Sequence, residues 1–185
     1  MSLNAAREPL VLRDSTPLRV RAIRPSDKAA LAREFARLSP ESRRQRFLAP
    51  KRELSELELR RLTEIDHRSH GALVAIDANS GRGVAVARYA AEAGQGEFAI
   101  TVADDWQGRG LGSALSRRLL MRAREEGVSV LEATALVDNH AARSLLRGLG
   151  FRVCSLGGGT VDLRLNLRSA VARAAAFPAH SRAAR

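Results

Sequence analysis

The chain has 185 residues, 45% of them hydrophobic, which suffices for one sizeable core and is too short for two independent ones. Its formal charge of +11 invites a polyanionic partner, but with aromatic residues at only 4% the stacking platforms of nucleic-acid binders are scarce, so nucleic acid ranks behind a phosphate-rich cofactor. A single cysteine, Cys154, excludes an internal disulfide and a multi-thiolate metal site and fits a reducing, cytoplasmic setting, and no leader or apolar run of ~18 residues argues for a membrane.

Leu18, Val20 and Ala22 alternate with Arg19 and Arg21, predicting a first strand over 18–24. Pro25-Ser26-Asp27 then turns the chain and offers an N-cap to a helix reaching about Leu38. Ser39-Pro40-Glu41-Ser42 opens a second helix that carries Arg43, Arg44 and Arg46 up to Phe47, and a third is predicted over 54–65. Three strand-like runs follow at 72–76, 84–90 and 97–102, and the short Gly- and Asn-containing links between them predict an antiparallel meander.

After the segment Trp106-Gln107-Gly108-Arg109-Gly110-Leu111-Gly112, the residues Leu111, Leu115, Leu119 and Ala123 recur at helical spacing, and Gly127 ends that helix before a strand over 128–137. Asp138-Asn139 opens a short helix carrying Leu145, Leu146 and Leu149, and two last strands at 151–156 and 161–167 flank a Gly157-Gly158-Gly159 turn. The expected organisation is a domain over 18–167, an N-terminal extension over 1–17 and an Arg/Ala-rich tail over 168–185, read as a frayed helix or solvated tail. Arginine supplies almost all the positive charge, which genome base composition explains as readily as any recognition task.

The glycine-rich segment reads as an anion cradle. Glycines let backbone N–H groups crowd together, and the helix that follows adds unpaired donors and the positive end of its dipole, so a pyrophosphate is the natural guest. A dinucleotide fingerprint starting at Gly108 would require glycine at 113, where Ser113 stands, and Glu132 falls inside a strand rather than at its end. Cys154, in an alternating strand, is expected to be a small core residue. His67 and His70, three apart, could on a helix share one face, but without a third ligand they make a poor zinc site; surface or end-of-helix positions are expected, and no metal is assigned.

The order of elements, the Gln107-x-x-Gly110-x-Gly112 loop and the run Asn139, Ala142, Leu145 ending in Leu149-Gly150-Phe151 together resemble the GNAT superfamily of N-acetyltransferases over about residues 18–167. Ile23-Arg24-Pro25-Ser26-Asp27, the run 38–47 and Gly96-Glu97-Phe98-Ala99 look like the bacterial protein lysine acetyltransferases of the Pat type. The resemblance implies an α/β fold whose mixed, mostly antiparallel sheet of about seven strands, flanked by helices, splays at an acetyl-CoA site. It implies direct acetyl transfer to a primary amine, with protein lysine as the favoured acceptor.

It also implies residue roles. Glu97 would be the general base, because an ammonium near pKa ~10 must lose its proton before it can attack a thioester, and Phe98 and Ile100 beside it would desolvate the carboxylate. Asp104 and Asp105 compete for that role, although turn formation suits them better. The backbone of Ile100, Thr101 and Val102 would bond the pantetheine arm like an added strand. Gln107, Gly108, Arg109, Gly110, Leu111 and Gly112 would wrap the pyrophosphate, with Arg109 either adding charge at the rim or facing solvent. Asn139 would contact the cofactor arm or simply cap its helix. Leu146 stands where many relatives hold a tyrosine acid, which excludes that acid here, and Tyr89, on a neighbouring strand, is expected in the core or on the sheet surface. A small-molecule or N-terminal acceptor, a non-catalytic acyl-CoA sensor and a homodimer all stay open.

Overall fold

In the computed structural model, which describes residues 8–12 and 14–168, the chain forms strands β1 (Glu8–Val11), β2 (Pro17–Ala22), β3 (His70–Asp77), β4 (Gly83–Glu92), β5 (Gln95–Val102), β6 (Val130–Leu136), β7 (Arg152–Gly157) and β8 (Thr160–Asn166). The helices are α1 (Lys28–Arg37), α2 (Pro40–Phe47), α3 (Glu56–Thr63), α4 (Leu111–Glu125) and α5 (His140–Gly148). The strands make one open sheet in the order β1-β2-β3-β4-β5-β6-β8-β7. Every neighbouring pair is antiparallel except β5 and β6, which are parallel and touch only at Gln95–Val130, Gly96–Leu131 and Glu97–Glu132.

Strand alternation decides what each face holds. Leu73, Ala75, Ala87, Tyr89 and Phe98 turn toward α4, whose Leu111, Leu115, Leu119 and Ala123 are all buried at 1% exposure or less. At ~25 cal/mol per Å² of apolar area removed from water, burial of this stripe stabilises the packing of α4 on the sheet. The opposite face of β4 and β5, carrying Val86, Arg88, Ala99 and Thr101, lies under the layer of α1, α2 and α3, in which Phe35 and Phe47 meet edge-to-face at 5.6 Å. Among the described residues, no helix is long and apolar enough to cross a membrane.

The meander closes tightly. Ala93 and Gly94 both take positive φ, 49° and 79°, the requirement of a two-residue hairpin whose twist matches its strands. Gly96, just beyond, sits so close to β4 that a Cβ would lie 2.2 Å from the Ala90 carbonyl oxygen and 2.6 Å from Ala91 Cα. Both neighbours are backbone and cannot swing aside, so Gly96→Ala should lower stability by about 2 kcal/mol and Tm by about 5 °C. A calorimetric melt unchanged from wild type would contradict this packing account.

The mixed, mostly antiparallel sheet expected with about seven strands is present with eight: β1 is a four-residue edge held by backbone pairing from Glu8–Val20 to Val11–Pro17, too short to show a period in the sequence. Cys154 is exposed rather than in the core, because β7 is the last strand of the sheet and all six of its residues are exposed. His67 and His70 share no helix face, since α3 has ended at Thr63, His67 lies in a turn at φ 59° and His70 begins β3. The tail reading for residues 169–185 lies outside the described residues.

Candidate active site

Because β5 and β6 pair only as far as Glu97 and Glu132, the two strands then diverge and open a slot through the sheet. Beyond Glu97, among the described residues, no strand pairs with the β5 edge that faces β6, so the backbone groups of Ile100 and the Val102 N–H on that side are open to an extended ligand, while the Val102 carbonyl accepts from Gln107. The slot encloses a cavity of about 320 Å³ lined on one face by Glu97, Thr101, Ser42 and Arg46 and on the other by Ile100, Val102, Ala142 and Leu145. A second cavity of about 400 Å³ lies along Gly108, Gly110, Leu111, Gly112 and Ser113, and it shares Gln45, Val102, Gln107, Asn139, Ala142 and Leu145 with the first. The two form one channel from the glycine loop through the sheet to Glu97, each half within the ~300–1,000 Å³ of small-molecule sites.

The loop has the geometry of an anion cradle. Gly108 and Gly110 sit at φ 73° and 81°, and a Cβ on either would meet nothing within 4 Å, so open space lies where a ligand would be. Serine or asparagine side chains cap the starts of α2, α3 and α5, through Ser39, Ser55 and Asn139. At α4 the N-cap is Gly110 and no side chain accepts from the first turn, leaving those donors and the positive helix end directed at the cavity. This arrangement suits a pyrophosphate.

Side chains around the loop brace it. Gln107 donates from Nε2 to the Val102 carbonyl at 3.2 Å and to Asp104 Oδ1 and Ser42 Oγ at 3.3 Å each. Arg109 lines neither cavity: its guanidinium bonds Asp14 at 2.7 and 2.9 Å and Thr16 Oγ1 at 2.6 Å, and lies 4.3 Å over the Trp106 ring. The Thr16 hydroxyl and Arg109 hold the Asp14 carboxyl down to about 2, so the clamp stays charged across the neutral range. Arg109 thus ties the loop to the β1–β2 hairpin.

Glu97 stands where the strands part, on the face toward α2, and is exposed to the slot. Phe98 and Ile100 point to the opposite face of β5 from Glu97. Both rival acids are engaged. Asp104 accepts from the Ser39 N–H at 2.7 Å, from the Ser39 hydroxyl at 3.1 Å and from the Ser42 hydroxyl; burial pushes its pKa up, but these donors outweigh it and hold the group below the usual carboxylate value. Asp105 pairs with Arg82 at 2.7 Å. Tyr89, 3% exposed, donates to the Arg68 carbonyl at 2.8 Å, and burial raises it to about 12. Asn139 Oδ1 accepts from the Ala142 N–H at 2.9 Å, which is a helix cap, and the residue also lines the channel. Among the described residues, no three His, Cys, Asp or Glu side chains gather to hold a metal ion.

Ser42 and Arg46 of α2, legible in the sequence only as helix residues, line the slot together with Gln45 of α2 and Thr134 of β6, none of which the sequence marks as a site residue. Their signal was the basic run starting at Ser39-Pro40, which fixes a helix but not which of its arginines turns inward.

The model of the Acetyltransferase (GNAT) domain family matches residues 18–152. Acetyltransferase PA5475 of Pseudomonas aeruginosa is 38% identical over 144 residues, covering 76% of this chain and 77% of that protein. Acetyltransferase Pat of Mycolicibacterium smegmatis is 32% identical over 145 residues, and this chain spans only 43% of its length. The GNAT domain of S. lividans PAT superposes with a TM-score of 0.80 at 31% identity, covering 86% of this chain and 96% of that one. A glycine loop at an uncapped helix, a sheet split beside it and these similarities agree: the chain belongs to the GNAT family of acetyltransferases and uses acetyl-CoA as its acyl donor.

Proposed function

We propose that this chain moves an acetyl group from acetyl-CoA directly to the side-chain amine of a protein lysine, with Glu97 as the general base. The observation that carries this reading is the channel through the sheet, which joins a phosphate cradle on one side to an exposed carboxylate on the other. Two substrates entering from opposite sides meet in the slot, so no covalent enzyme intermediate is needed, and Cys154 on the edge strand is in no position to form one.

Acetyl-CoA, when bound, supplies the activated thioester. The backbone donors of 107–112 hold the diphosphate, while the unpaired edge of β5 at Ile100, Thr101 and Val102 aligns the arm and offers an N–H to the acyl oxygen. Asn139 keeps α5 in register along the channel. Glu97 takes the proton from the incoming ammonium, directly or through one water, and its exposure allows a side chain carried on a large molecule to reach it. With Leu146 buried in the tyrosine position and Tyr89 bonded elsewhere, water is left to protonate the leaving sulfur.

Reconstitution with acetyl-CoA and a deacetylated lysate, read by mass spectrometry, tests the acceptor. A small set of enriched acetyl-lysines is expected. Thiol release with small amines but no protein acetylation would replace lysine with a small-molecule acceptor, and acetyl-CoA binding without thiol release would make the chain a sensor.

A further inference from the structure

The three arginines of α2 have different fates. Arg43 donates to the Ala36, Leu38 and Arg52 carbonyls, and Arg44 bridges Glu41 and Asp138. Arg46 turns inward to the slot and, among the described residues, makes no hydrogen bond or ion pair; its contact is the Phe47 ring at 5.0 Å. It feels the Glu97 carboxylate, but the two stand too far apart for an ion pair. Behind it Arg88 projects from β4 on the same sheet face, opposite Ala99, and gives one bond to the Leu62 carbonyl. Burial, with the charge of Arg46 adding to it, holds Arg88 down to about 10.

A partly buried guanidinium with open donors costs free energy unless a ligand completes it. A second cation behind it raises that cost and deepens the positive potential at the inner end of the slot. Glu97 lies within reach of the same field. An anion and a cation held apart across one cavity match a ligand carrying the opposite pair, an ammonium toward Glu97 and a carboxylate toward Arg46. Planar bidentate guanidinium donors suit a carboxylate in particular.

We infer that Arg46, supported by Arg88, selects acceptors in which a carboxylate accompanies the reacting amine, so that the target lysine has an aspartate or glutamate beside it. This deepens the lysine reading above and rests on it. The cofactor's phosphates are not the intended guest, because the glycine cradle lies on the other side of β5 from Arg46.

The test compares kcat/KM for peptide pairs identical but for Asp or Asn next to the lysine, and for free amino acids against their amides. Wild type should prefer the acidic peptide by about tenfold or more, the worth of a charge-assisted pair. Arg46→Gln should erase the ratio, and Arg46→Glu should invert it toward a peptide with arginine beside the lysine. These ratios are internal to each variant, so a general loss of activity does not mimic them. Equal rates across the wild-type pairs would overturn this inference alone, and a preference that survives both substitutions would take the role from Arg46. Amino acids favoured over their amides while peptides go unused would keep the carboxylate rule and overturn its peptide source. No turnover of any acceptor would overturn the lysine reading together with it.

Discussion

Glu97→Gln should lower kcat/KM for amine acetylation by about 10²- to 10⁴-fold at neutral pH, the range lost with a positioned general base. Acetyl-CoA affinity should be unchanged, because the cradle at 107–112 does not involve the Glu97 side chain. Residual activity should climb with pH toward the pKa of the acceptor, near ~10, since an amine that is already neutral needs no base. Steady-state kinetics with calorimetric titration of acetyl-CoA check both halves. A variant retaining more than a tenth of wild-type activity would remove Glu97 as base. Asp104 would be a poor replacement, since its two oxygens are already occupied by donors from Ser39 and Ser42.

How much of this was legible in the sequence follows the range over which each feature is encoded. The helices carry local signals: Ser39 caps the helix it opens before Pro40, and the apolar stripe of α4 faces the sheet as its spacing requires. Gly108 and Gly110 were read as letting backbone N–H groups crowd together, and both take positive φ. Features set by distant partners were not legible. β1 is a strand because β2 offers it an edge, and Cys154 is exposed because alternation states that two faces exist but not that a layer covers either. Glu97 was expected among apolar neighbours, yet Phe98 and Ile100 belong to the other face of the strand, so adjacency in the chain was no measure of burial. Arg109 could be placed either at the phosphate rim or in solvent, and its partners Asp14 and Thr16, more than ninety positions away, are not legible from the loop.

Gly110→Val should weaken acetyl-CoA binding by about tenfold to a hundredfold, and a second substitution isolates the reason. Gly110 and Gly81 both take positive φ, 81° and 71°, and a Cβ on either meets nothing within 4 Å. A β-branched residue is strained at both, by roughly 1–3 kcal/mol, so both variants should lose several degrees of Tm. Gly81 lies in the β3–β4 turn and lines neither cavity, whereas Gly110 is the N-cap of α4 and borders the loop-side cavity. If the cradle works by converging backbone donors, only Gly110→Val moves those donors and places methyl groups where a phosphate would sit. Its Kd should rise while that of Gly81→Val stays at the wild-type value. Equal Kd for all three proteins would show that the diphosphate is held elsewhere, and equal weakening in both variants would trace the loss to global destabilisation rather than to the loop.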